Sequence, residues 1–138
     1  MTFSGVNYLA VLIAAVAGFL VGFIWYGPLF SKPWRAANNI TSGSMQGGSM
    51  PMLLVLSFIA LLVMAWVLAG LIGHLGPGQV TLRNGVISAI FCWIGFVITT
   101  MAVNNGFAGR KGVLLWIDSG HWLAVLVVQG AIIGWWGR

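Results

Sequence analysis

Acidic side chains are all but missing from this sequence: among 138 residues there is one, Asp118, and charged residues of every kind make up 5% of the chain. A soluble domain carries about a quarter charged residues to keep its surface wet, so a water-facing exterior is excluded. The polar residues that would coat the outer sides of a soluble helical fold of this size are missing as well. Cysteine is equally scarce. Cys92 stands alone inside an apolar run, which excludes an intrachain disulfide, leaves the redox compartment open, and reads as a small packing residue. Also lacking are a basic stretch ahead of the first apolar run and a clear cleavage motif, so that run is expected to remain as a helix instead of serving as a signal peptide.

The six basic residues give a net charge of +5. They do not form the patch or stripe that nucleic acid requires, because Lys32, Arg35, Arg83, Arg110, Lys111 and Arg138 are scattered between apolar runs. Loop positions are where membrane proteins place Lys and Arg to fix orientation, with contact to anionic headgroups as a by-product. The first and third loops hold Lys32, Arg35, Arg110 and Lys111, and the opposite side holds Arg83 and Arg138. This bias puts the two loops in the cytoplasm and both termini outside.

What the chain has in abundance is hydrophobic residues, 60% of the total. A helix needs about 20 apolar residues to cross a hydrocarbon core of about 30 Å. The stretches 7–26, 52–72, 82–103 and 113–136 qualify, the first ended by Gly27-Pro28 and the third by Asn104-Asn105-Gly106. The runs are continuously apolar and do not alternate, which selects helices over barrel strands. The expected fold is therefore all-α: one integral membrane bundle of four transmembrane helices. Residues around 36–50, rich in Gly, Ser and Asn, form a flexible loop in this reading. Its Asn39-Ile40-Thr41 glycosylation sequon is a match without consequence.

Lipid tails are as apolar as Leu, so helices in a membrane associate through small residues and polar contacts. Ala14, Gly18 and Gly22 in the first run, Ala65, Ala69 and Gly73 in the second, and Gly130 and Gly134 in the fourth recur every four residues, each set on one stripe. Gly85, Ser88, Cys92, Gly95 and Thr99 share a face of the third in the same way. Four short helices enclose little interior, so a homo-oligomer or a place in a larger membrane complex is expected beside the lipid bilayer itself. Of the 8 Trp and 2 Tyr, Trp25, Tyr26 and Trp34 cluster at one end of the first helix, as an interfacial aromatic belt does.

The fourth run opens with Ile117-Asp118-Ser119-Gly120-His121-Trp122. Asp118 and His121 share a helix face, and Gln129 falls close to it, giving a polar stripe on an apolar helix. Two readings stand. Ionisable groups inside a span are costly and face the bundle interior or a water-filled cavity, which makes the pair a proton-titrating or ligand-binding site. Alternatively Asp118 lies near the helix start, where negative charge is favoured, and pairs with Arg110 or Lys111. Asn104 either caps the third helix or lines an entrance near Asp118. The two histidines, His74 and His121, lack the clustering of a metal site, so no metal or cofactor is assigned. A lone His that ligates haem or chlorophyll is a third possibility. There is no nucleophile with a partnered base, no phosphate loop and no His-Glu-x-x-His element, so no enzymatic activity is expected.

The residues also resemble a known family. Asn7-Tyr8-Leu9-Ala10-Val11, then Gly22-Phe23-Ile24-Trp25-Tyr26-Gly27-Pro28-Leu29-Phe30 with Lys32 and Trp34, looks like the opening of the bacterial membrane family catalogued as domain of unknown function 1761. Trp93-Ile94-Gly95-Phe96, Asn104, Phe107, Gly109 and Arg110, Ile117-Asp118-Ser119-Gly120-His121, and Gly130-Ala131-Ile132 are similar to its second half. The resemblance implies small multi-helix proteins of a bacterial membrane without an assigned activity, and it adds weight to Asp118. The functional expectation is a non-enzymatic, self-associating or accessory subunit of a bacterial cytoplasmic (inner) membrane. The competing one is a small oligomeric channel or proton-coupled transporter using Asp118, His121 and Gln129.

Overall fold

Backbone amides in an apolar run have no water to bond with, so each run satisfies itself by winding into a helix. A computed structural model describes residues 3–40 and 49–137, and within them the chain is helical and without strands. Short polar residues start the helices. Asn7 accepts the Ala10 amide at 3.1 Å ahead of α1 (Tyr8–Ile24). Ser49 accepts that of Met52 at 3.4 Å ahead of α3 (Met50–Gly73), and Thr81 that of Asn84 at 3.2 Å ahead of α4 (Leu82–Cys92). α2 (Ser31–Ala37) is short, α5 (Ile98–Phe107) continues the line of α4, and α6 (Gly112–Trp136) closes the chain.

Among the described residues, four helices are long and apolar enough to cross a membrane: Tyr8–Leu29, Met50–Gly73, Leu82–Phe107 and Gly112–Trp136, of 22 to 26 residues. At a rise of about 1.5 Å per residue each exceeds the hydrocarbon thickness. The first and third run past their expected ends, and each contains a wide π turn, Trp25–Leu29 and Trp93–Val97. Pro28 has no N–H to give to the preceding turn, and the Phe30 amide reaches back to the Trp25 carbonyl at 2.8 Å instead. Gly27-Pro28 therefore widens the helix without ending it. Of the expected loop 36–50, Ala36 and Ala37 belong to α2 and Met50 to α3; residues 41–48, including the sequon's Thr41, lie outside the described residues.

α6 is the central element, packed mainly between α4 and α1, and α3 lies against α1. The core is made of Val11, Ala14, Ala65, Leu68, Ala69, Ile72, Ala89, Leu126 and Ile133. Where α4 crosses α6 the two backbones touch: a Cβ added to Gly85 would overlap the Gly130 carbonyl, and one added to Gly134 would overlap that of Thr81. Gly18, Ala69, Gly73, Gly130 and Gly134 are buried, and Gly22 is half-buried against His121. Gly95 is different. It is exposed, with nothing within 4 Å of an added Cβ. The reason is the π turn: its extra residue rotates the remainder of the span by about 100° relative to a plain helix, so the face begun by Gly85 does not continue through Gly95 and Thr99.

Candidate functional site

The π turn of the first span and the first two turns of α6 bring polar groups together at one end of the bundle. Asp118 sits two turns into α6, whose N-cap is Lys111, and makes no capping bond. Its carboxylate is instead a tertiary acceptor. The Tyr26 hydroxyl donates to Oδ1 at 2.6 Å and the Trp34 indole N–H donates to the same oxygen at 3.0 Å. Arg110 Nη2 stands 3.9 Å from Oδ2 and also donates to Asn38 Oδ1 at 3.3 Å. One carboxylate thus ties together the first span, α2, the start of α6 and the loop before it. The basic residues of the first and third loops meet at this same end.

Trp25, Tyr26 and Trp34, expected as an interfacial belt, all turn inward to donate hydrogen bonds. The Trp25 indole N–H donates to the Ile117 carbonyl at 2.9 Å, and that of Trp93 to the Ser119 carbonyl at 2.7 Å. Each π turn therefore begins with a tryptophan whose N–H lands on a carbonyl one residue to either side of Asp118. Gly120 makes room for this, since a Cβ there would come within 3.0 Å of the Trp25 ring.

His121 comes one turn later, buried at 7% exposure, with its ring against Trp25, Tyr26 and Trp122. Its Nδ1 is buried without a hydrogen-bond partner among the described residues. Its Nε2 points at the notch left by Gly22, where an added Cβ would lie 3.4 Å away. The notch is part of a cavity of about 430 Å³ between α1, α3 and α6, lined chiefly by Gly18, Phe19, Gly22, Phe23, Tyr26, Leu61, His121 and Trp122. Its deep end closes at Gly18, beyond which Ala14 and Ala65 are fully buried. Gln129 is buried there and donates to the Leu61 carbonyl at 3.0 Å, leaving its Oε1 without a partner among the described residues.

The expected α6 stripe thus divides into a clasp at Asp118, a cavity wall at His121 and a helix tie at Gln129. Asn104 joins none of them. It is exposed on α5, while Asn105 is the buried neighbour, its Oδ1 accepting from Arg110 Nη1 at 3.5 Å. In the sequence Trp93 and Ser119 stand out only within the family-like runs, and Asn105 only beside Asn104 at the end of the third run. The available signal was a tryptophan at mid-span, whose N–H must find an acceptor in lipid. No group of three His, Cys, Asp or Glu that could hold a metal comes together among the described residues.

A family described as "Protein of unknown function (DUF1761)" matches residues 9–134. No curated protein and no solved structure matches the chain.

Proposed function

Given that the chain belongs to the DUF1761 family, whose description assigns no activity, we propose that it is a non-enzymatic membrane subunit that works by self-association through its third span. The observation that carries this reading is the exposure of that span. Only 6% of its most apolar window is buried, against 39% for the fourth. It presents Phe91, Phe96 and Phe107 outward, with Gly95 and Thr99 between them. The Thr99 and Thr100 hydroxyls donate back to the Gly95 and Phe96 carbonyls at 2.9 and 2.7 Å, which leaves a shallow apolar surface with no donor to satisfy. Small residues let helix backbones approach closely in lipid, and Gly18, Ala65, Ala69, Gly73, Gly130 and Gly134 of the other spans are buried within the chain.

A proton path is the weaker reading, because Asp118 is held by Tyr26 and Trp34, Gln129 by Leu61, and the cavity between them is closed at its deep end. The localisation that goes with the proposal is a bacterial cytoplasmic membrane with both termini outside. It rests on Lys32, Arg35, Arg110 and Lys111 at the clasp end.

The test is the mass of the purified chain in mild detergent. A dimer or larger assembly is expected, and Gly95→Leu should convert it to monomer with helical content unchanged. A wild-type chain that is monomeric at every concentration overturns the proposal.

A further inference from the structure

The cavity between α1, α3 and α6 is the feature that self-association leaves unexplained. Gly22 opens it, since an added Cβ there meets only His121 Nε2 at 3.4 Å, whereas one at Gly18 would already press on Gln129, Leu61 and Val125 at the closed end. Phe23, Gly27 and Ser57 on its rim are exposed on the outer surface, so the opening faces sideways into lipid and not along the bundle axis. A volume of about 430 Å³ lies in the range of sites for small organic molecules. Its walls are aromatic, with Phe19, Phe23, Tyr26 and Trp122 around the one imidazole.

Two details narrow the occupant. His121 is more than nine-tenths buried and lines the cavity; its Nδ1 is buried without a hydrogen-bond partner among the described residues, and its Nε2 faces the notch at Gly22. A buried imidazole without a partner calls for a hydrogen-bonding atom from elsewhere. Among the described residues the cavity also has no charged lining side chain, because the Asp118 carboxylate faces Tyr26, Trp34 and Arg110. A charged headgroup would therefore be left without a counter-charge in a low dielectric. A neutral, flat ring bearing oxygen satisfies both conditions: it stacks among the aromatics and gives His121 its hydrogen bond, while an apolar tail leaves through the rim into the bilayer.

We propose that this cavity binds the ring of a neutral quinone-class lipid, with His121 hydrogen-bonded to a ring oxygen and the notch at Gly22 accommodating the ring. Binding alone is proposed, with no electron transfer. The site is independent of the self-association face, which lies on the third span.

Trp25 and Trp122 flank His121, so a bound quinone quenches their fluorescence. The full-length chain in detergent, titrated with decylubiquinone, should show saturable quenching with a Kd in the micromolar range. Leu54→Phe at the cavity wall and Gly22→Leu in the notch should each weaken binding at least tenfold, and His121→Phe about tenfold. Gly95→Leu should leave it unchanged. Circular dichroism identifies any variant that fails to fold, and Leu54→Phe, on a half-buried position, keeps the test open if Gly22→Leu does not. Quenching that is linear in quinone, or equal in wild type and folded Leu54→Phe, overturns the proposal. So does native mass spectrometry that finds a phospholipid bound equally by wild type and His121→Phe while added quinone fails to displace it.

Discussion

Replacing Gly85 by alanine is expected to destabilise the bundle by at least about 3 kcal/mol, although alanine is the better helix former by about 1 kcal/mol. The added methyl has nowhere to go. It would overlap the Gly130 carbonyl oxygen, lie 2.9 Å from that carbonyl carbon and 3.3 Å from the Gly134 Cα. All of these are backbone atoms of the central helix, so no rotamer change relieves the clash, and overpacking that forces backbone movement lies at the upper end of its usual range. α4 and α6 must then separate along the contact on which the second half of the fold depends. Gly106→Ala is the control: nothing lies within 4 Å of an added Cβ there, so its effect should be neutral or slightly favourable. Unfolding from mixed micelles by increasing SDS, followed by circular dichroism, measures both. Equal stability of the Gly85→Ala and Gly106→Ala variants would show that the two backbones are not in contact.

Asp118→Ala is expected to lower stability by roughly 2–3 kcal/mol, because it strands two donors. The Tyr26 hydroxyl and the Trp34 indole N–H share one carboxylate oxygen, and hydrogen bonds to a charged acceptor contribute about 1.5–3 kcal/mol. Asp118→Asn retains an oxygen at that position and should cost about half as much. Arg110→Ala should cost less than about 1 kcal/mol: its side chain is 38% exposed and stands 3.9 Å from Oδ2, the weak regime for ion pairs. The same SDS titration ranks the three, and Trp34 emission reports release of α2. An Arg110→Ala loss as large as that of Asp118→Ala would mean that charge, and not the two donors, holds the clasp.

The spans were legible in the sequence because hydrocarbon permits one economical solution for a long apolar run, and Gly130 and Gly134 were legible because close helix approach in lipid needs small residues at a spacing of four. The same spacing did not show that Gly95 faces away from the bundle. A π turn inserts one residue without a marker that periodicity can detect, and Trp93-Ile94-Gly95 reads as ordinary helix until the register shift is seen. Gly27-Pro28 misled in the opposite sense, since proline disrupts a plain helix but is accommodated in a wider one. Tyr26 and Trp34 were assigned to a belt because composition gives an aromatic its amphipathic character but not its direction. Their acceptor, Asp118, lies 92 and 84 residues away along the chain. The importance of Asp118 was visible from its being the only acid; that it acts as a clasp depended on those distant partners.

Labelling of single cysteines by a membrane-impermeant maleimide tests the membrane-spanning arrangement most directly. In a Cys92→Ala background, with cysteine placed in turn at Ser4, Gly76, Gly109 and Gly137, the four-span account predicts that Ser4, Gly76 and Gly137 react from one side of sealed vesicles and Gly109 only from the other. Labelling of all four from the same side, or of the two chain ends from opposite sides, would contradict it.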